Sequence, residues 1–206
     1  PCPIALPYLP KLLQLSLPGV DPNDQQKSCT SLSMYVTLLS WIPVKAVYKA
    51  PRKENWPPAY YSLVSSQTSM SSEFDELYAN LLDEKTLQAN LDQLAVAFEE
   101  WAPNLLDRIF EVVEAQDEPK KGKKAPHIVG FVAECTALLF QACSQDQASG
   151  HKLRTILEDK VISFYKSRLP VNAAKLSGKI ISCMTENNPD CLPRLLTALL
   201  EPDVIS

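Results

Sequence analysis

Apolar residues recur every three or four positions in one segment after another, and no stretch alternates apolar with polar residues as a strand requires. That periodicity places one side of a helix against a core and leaves the other in water. Cys29, Leu32, Val36 and Leu39 form one stripe, widened by Tyr35, Leu38 and Ile42. Phe74, Leu77, Tyr78, Leu81 and Leu82 form another. Leu87, Leu91, Leu94, Phe98, Trp101 and Leu105 follow, continued by Ile109, Val112 and Val113. Helices are then predicted over His127–Ser144, over His151–Leu169 (Leu153, Ile156, Leu157, Val161, Phe164 and Tyr165 apolar) and over Asn172–Glu186. The last carries Leu192, Leu195, Leu196, Leu199 and Leu200.

Punctuation supports the same reading. The chain has 17 Pro and only 5 Gly, so helix starts and stops are well supplied while tight β-turns are not. Pro43, Pro170 and Pro202 end helices, Asn188 with Pro189 starts one, and Pro103 kinks its helix or opens a new one. Asp83–Lys85 reads as a break, and Ser72 with Asp75 as a capping box. Helices in series with short connectors after Pro126 suit antiparallel pairs stacked as an all-α solenoid, with residues 1–206 as one helical-repeat segment. No fixed repeat length is visible, so a globular helical bundle remains the alternative. Two stretches interrupt the series. Val44–Ser71 is polar and holds Lys45, Lys49, Arg52 and Lys53, which reads as a surface insertion with a short helical turn at Tyr60–Val64. Asp117–Pro126 is a Lys-rich linker.

The sharpest local signal is Leu17-Pro18-Gly19-Val20-Asp21-Pro22-Asn23-Asp24. Gly19 permits a turn, Asp21 is placed to be an N-cap, Pro22 to take the first helical position, and Asp24 to complement the helix dipole in the first turn.

Candidate chemistry is sparse. The net charge of −4 argues against a nucleic-acid binder, and no apolar run approaches the roughly 20 residues of a membrane helix. No secretory signal is expected at Pro1–Leu17, and the missing initiator Met suggests a piece of something longer. The 6 Cys lie mostly among aliphatic residues, which fits reduced, packed thiols in cytosol or nucleus better than a disulfide framework. Cys135 follows His127 by two helical turns, too far for a Cys–His nucleophile, and the pairs Cys135/Cys143 and Cys183/Cys191 lack zinc-ligand spacing. Gly178-Lys179 has no phosphate-binding loop before it, and the carboxylates Asp75-Glu76 and Glu99-Glu100 fall on polar faces. The cluster Lys120, Lys121, Lys123 and Lys124 reads as a solvated linker, with an anion or partner contact as the alternative. An enzyme is not expected, and no cofactor or metal is.

The octapeptide closely resembles a motif of the large single-chain proteasome activators, whose members typically carry Ile where Val20 stands. Phe98-Glu99-Glu100-Trp101 and Leu106-Asp107-Arg108-Ile109-Phe110 with Glu114 resemble the same family. The resemblance makes Leu17, Pro18, Gly19, Asp21, Pro22, Asn23 and Asp24 a structural family motif and implies a HEAT/ARM-like solenoid piece from the N-terminal part of the parent. It further implies a dome that caps the proteasome core particle and promotes gate opening for peptides and unstructured proteins, in nucleus and cytoplasm. Family members dock through a Tyr-Tyr-x tail, which the terminal Asp203-Val204-Ile205-Ser206 does not match. They can hold inositol phosphates, with no ligand position assignable here. A generic helical-repeat adaptor or transport-type scaffold, its octapeptide a coincidence, is the competing reading.

Overall fold

The computed structural model describes residues 3–41, 84–117, 126–143, 148–167 and 170–200. A 3-10 segment, Pro3–Tyr8, leads into α1 (Leu9–Ser16), and a second, Leu17–Gly19, follows it. The remaining helices are α2 (Gln25–Trp41), α3 (Glu84–Asp117), α4 (Pro126–Ala142), α5 (Ala148–Ser167), α6 (Ala174–Asn187) and α7 (Leu192–Leu200). A 3-10 turn at Pro189–Cys191 precedes α7. Among the described residues there is no strand.

Each helix finds its main neighbours two places away along the chain. α1 lies against α3, α3 against α5 and α5 against α7; α2 packs along α4, and α4 along α6. The chain therefore weaves between an odd layer and an even layer. A closed bundle would pack its helices around one shared axis. This arrangement instead adds one helix to each layer per pair, which is how an α-solenoid grows.

The core lies between and within the layers. Tyr35 of α2 meets Trp101 of α3 edge-on, ring centroids 5.0 Å apart, and Phe98 sits 5.7 Å from Trp101. Phe110 of α3 stacks on Phe164 of α5 at 4.2 Å with planes 3° apart. Aromatic pairs in these geometries add to plain area burial.

Three expectations are corrected in detail. The buried stripe of α2 is turned from the one predicted: Ser28, Leu32, Tyr35 and Leu39 are buried, whereas Cys29 and Val36 are only partly covered. The helix packs along α4 and against the 3-10 turn Leu17–Gly19, and the small Ser28 faces the Asp21 backbone. Second, of the two readings of Pro103 the start of a new helix is excluded, since α3 runs unbroken through it. The proline removes the backbone donor that would serve the Glu99 carbonyl, while Asn104 Nδ2 adds a side-chain bond to the Glu100 carbonyl at 2.9 Å. Leu105, Leu106 and Ile109 beyond it and Phe98, Trp101 and Ala102 before it all lie in the core. Packing on both sides of the proline favours the continuous helix over a break. Third, Ile156 is partly exposed while Arg154 and Glu158 are buried in α5. The helix is covered by α3 on one flank and α7 on another, so its covered surface extends past the apolar stripe.

The expectations for Val44–Ser71, Tyr60–Val64, the capping box at Ser72 and Asp75, and the stripe from Phe74 to Leu82 fall outside the described residues. So do Lys45, Lys49, Arg52, Lys53, and Lys120, Lys121, Lys123 and Lys124.

Candidate functional site

The octapeptide forms the hinge of the first helix pair. After α1 the chain tightens into the 3-10 turn, closed by the Val20 N–H donating to the Leu17 carbonyl at 3.1 Å. Val20 is fully buried. Asp21 then organises an Asx turn: its carboxylate accepts the Asn23 N–H at 3.0 Å, and the Asp24 N–H reaches the Asp21 carbonyl at 3.1 Å. The N-cap itself is Asp24, whose Oδ1 accepts the Lys27 N–H at 2.9 Å, three residues on. The helix thus starts three residues later than predicted, and Pro22 lies in the turn before it rather than in its first turn. The sequence reading made Asp21 the cap and set Asp24 in the first turn. The choice comes from Ser28, whose hydroxyl accepts the Asp21 N–H at 2.8 Å and donates to the Asp21 carbonyl at 2.6 Å. One buried side chain holds both backbone groups of Asp21 outside the helix.

Gly19 also has a different reason from the one predicted. Its φ is negative, as at every described glycine. A Cβ built there would lie 2.2 Å from Ser31 Oγ and 3.2 Å from Ser31 Cβ. The glycine is required by the close approach of the turn to α2. The Tyr35 hydroxyl completes the junction by donating to Ser16 Oγ at 2.9 Å. These bonds tie the start of α2 to the turn and α2 to the end of α1, a structural role. The Asp21 carboxyl is held below its ordinary pKa, first by the Asn23 N–H and further by the Lys27 ammonium 3.5 Å away.

The C-terminal half carries a second polar centre that the sequence reading did not single out. Glu158 of α5 is buried; its carboxylate accepts Asn188 Nδ2 at 2.7 Å and lies 3.5 Å from Arg154 Nε and 3.7 Å from Arg194 Nη1. Arg194 also pairs with Asp159. The group ties α5 to the turn before α7 and to α7 itself. The spacing of Arg154 and Glu158, one helical turn apart, is the signal that was available in sequence. Two more clasps join α3 to the last repeat. Lys160 of α5 donates to both carboxylate oxygens of Asp107 at 2.6 and 2.7 Å. Asp117, at the end of α3, accepts the backbone N–H groups of Asn172 and Ala173 at 2.6 and 3.2 Å, just ahead of α6.

The candidate nucleophiles are packing residues. Cys135 is fully buried and burial pushes its thiol far up; burial raises Cys143 to about 12. Cys183 donates its thiol to the Ala133 carbonyl at 3.3 Å, joining α6 to α4. Cys29, Cys135, Cys143, Cys183 and Cys191 are all free thiols. His151 is exposed on α5, and the His127 side chain lies outside the described residues. Among the described residues there is no group of three or more His, Cys, Asp or Glu placed to hold a metal ion. Glu99 and Glu100 are exposed, as are Gly178 and Lys179 in mid-helix. No described helix is long and apolar enough to cross a membrane.

Two layers of stacked helices define an all-α solenoid of the HEAT type. Residues 3–202 match the family model described as proteasome activator complex subunit 4, mid HEAT repeats region. The chain belongs to that family of proteasome activators. The matched region is the middle of the family's repeats, which moves the segment from the N-terminal part suggested by resemblance. No curated protein and no solved structure matched the chain.

Proposed function

We propose that this chain is a framework segment of a proteasome activator: a stretch of solenoid wall in a larger activator that caps the proteasome core particle and promotes gate opening for peptides and unstructured proteins. The observation that carries the reading is the family match over residues 3–202. The two-layer stack supports a wall-like role, since its polar bonds are spent on joining helices to one another. In this reading the segment performs no catalysis, holds no cofactor, binds no nucleic acid, and works in nucleus and cytoplasm. Contact with the core particle belongs to the longer protein.

The test uses both forms. The longer protein is expected to co-purify with core particles and to raise their hydrolysis of fluorogenic peptides. The 206-residue chain alone is expected to leave that hydrolysis at its basal rate. A longer protein that neither associates with core particles nor stimulates them would sink the proposal.

A further inference from the structure

The two layers are spaced differently. α2, α4 and α6 lie with their backbones close along much of their length. α3 and α5 are longer helices, yet they approach one another over a shorter stretch, as do α5 and α7. The side chains at the contacts account for this, because the separation of packed helices follows the bulk between them. In the even layer a short side chain is enough to cross: the Cys183 thiol of α6 reaches the Ala133 carbonyl of α4 at 3.3 Å. In the odd layer the crossing takes long arms or rings, with Lys160 reaching Asp107, Arg194 reaching Glu158, and Phe110 stacked on Phe164. Between α5 and α7 there is also an open groove of about 440 Å³, lined by Ile162, Lys166, Pro193, Arg194, Thr197 and Ala198.

A stack of two layers bends toward the layer whose members sit closer together, and the bend, repeated along a solenoid, makes a concave surface. We propose that α2, α4 and α6 form the concave side of this solenoid, and that in the activator this side faces the space through which unfolded polypeptide passes to the core particle. The second half of that statement rests on the function proposed above. The chemistry of the two sides fits it. The exposed positions of α2, α4 and α6 carry polar, charged or small residues, such as Thr30, Glu134 and Lys179, and among the described residues no large apolar side chain. Every large apolar side chain exposed on a described α-helix belongs to an odd one, Val96 of α3 and Ile156 of α5 among them. Contiguous exposed apolar surface is what holds an unfolded chain. A polypeptide moving along the even layer meets groups that exchange freely with water and can slide on.

The test uses the longer activator bound to core particles, with unfolded casein as the probe. A photo-crosslinking residue is placed at Thr30, Glu134 or Lys179 on the even layer, or at Glu100 or Lys152 on the odd layer, all five exposed. Casein is expected to crosslink from the three even positions and to stay at background from the two odd ones. Stimulation of fluorogenic-peptide hydrolysis, read in the same samples, keeps the two proposals apart. With stimulation intact, crosslinks from the odd positions, from both layers equally or from neither overturn the assignment of the concave side and leave the activator reading standing. A wild-type activator that gives no stimulation overturns the activator reading, and the luminal role falls with it.

Discussion

The two halves of this solenoid hold their helices together by different means. Between the first pair and the second the joint is aromatic: Tyr35 meets Trp101 edge-on and Phe98 lies tilted against Trp101, all three buried. Between the second pair and the third, and on to α7, charge is added to the Phe110–Phe164 stack, through Asp107 with Lys160 and the group around Glu158. An apolar joint is insensitive to salt and gains from every methylene it buries. A charged joint fixes geometry through few contacts, and removing one member strands its partner. The same architecture can therefore be firm at one end and condition-dependent at the other.

Breaking the aromatic joint has the largest expected effect. Trp101→Ala empties a site that is 1% exposed and should cost about 3–5 kcal/mol, measured by urea denaturation of the whole chain. Raised salt should leave that cost unchanged. Glu158→Ala strands Arg154 in the charged joint and should cost about 3 kcal/mol. If the two halves differ as described, replacing Arg154 and Glu158 together by Leu costs less than Glu158→Ala alone; an equal or larger cost would remove the distinction. Gly19→Ala comes next. The new Cβ forces Ser31 Oγ aside, at about 1 kcal/mol, and Ser31→Ala in the same chain should recover part of that loss because it deletes the nearer clash.

Asp24→Ala removes the true N-cap of α2 and should cost about 1 kcal/mol. The two aspartates separate by pH as well. A carboxyl whose pKa is depressed by folding adds stability above its unfolded value, here 3.8, and that contribution fades as pH falls through the lower folded value. Asp21→Asn should therefore lose that contribution at neutral pH and flatten the acid limb below about pH 4, where the two stability curves converge. A wild-type and variant pair with parallel acid limbs would place the effect elsewhere.

Much of the fold was legible because helical periodicity is a property of the chain itself. The stripe from Leu91 through Val113 is buried as predicted, since α3 carries enough aliphatic and aromatic mass to dominate any packing. Where the stripe was narrower the prediction turned by one position, as in α2, because a buried Ser28 carries no hydrophobic signal. Arg154 and Glu158 were missed for a related reason. A charged pair looks solvated in sequence, and its burial depends on α7 arriving from nearly forty residues away (Glu158 to Arg194). The octapeptide was recognisable as a specific junction, but its inner logic was not. Two aspartates three residues apart offer the same capping chemistry, and a glycine offers both free φ and empty space.

What the sequence by itself determined is the helical class, the positions of most helices within a few residues, and the family, through residues in fixed register at the first turn. Tertiary structure alone decided which aspartate caps α2, why residue 19 must be glycine, and that Glu158 serves as a joint between repeats. Each of those depends on an atom brought close from another turn or another helix: Ser28 against Asp21, Ser31 against Gly19, and Asn188 with Arg194 against Glu158. Local sequence sets what a residue can do; the approach of a distant group selects which of those capacities is used.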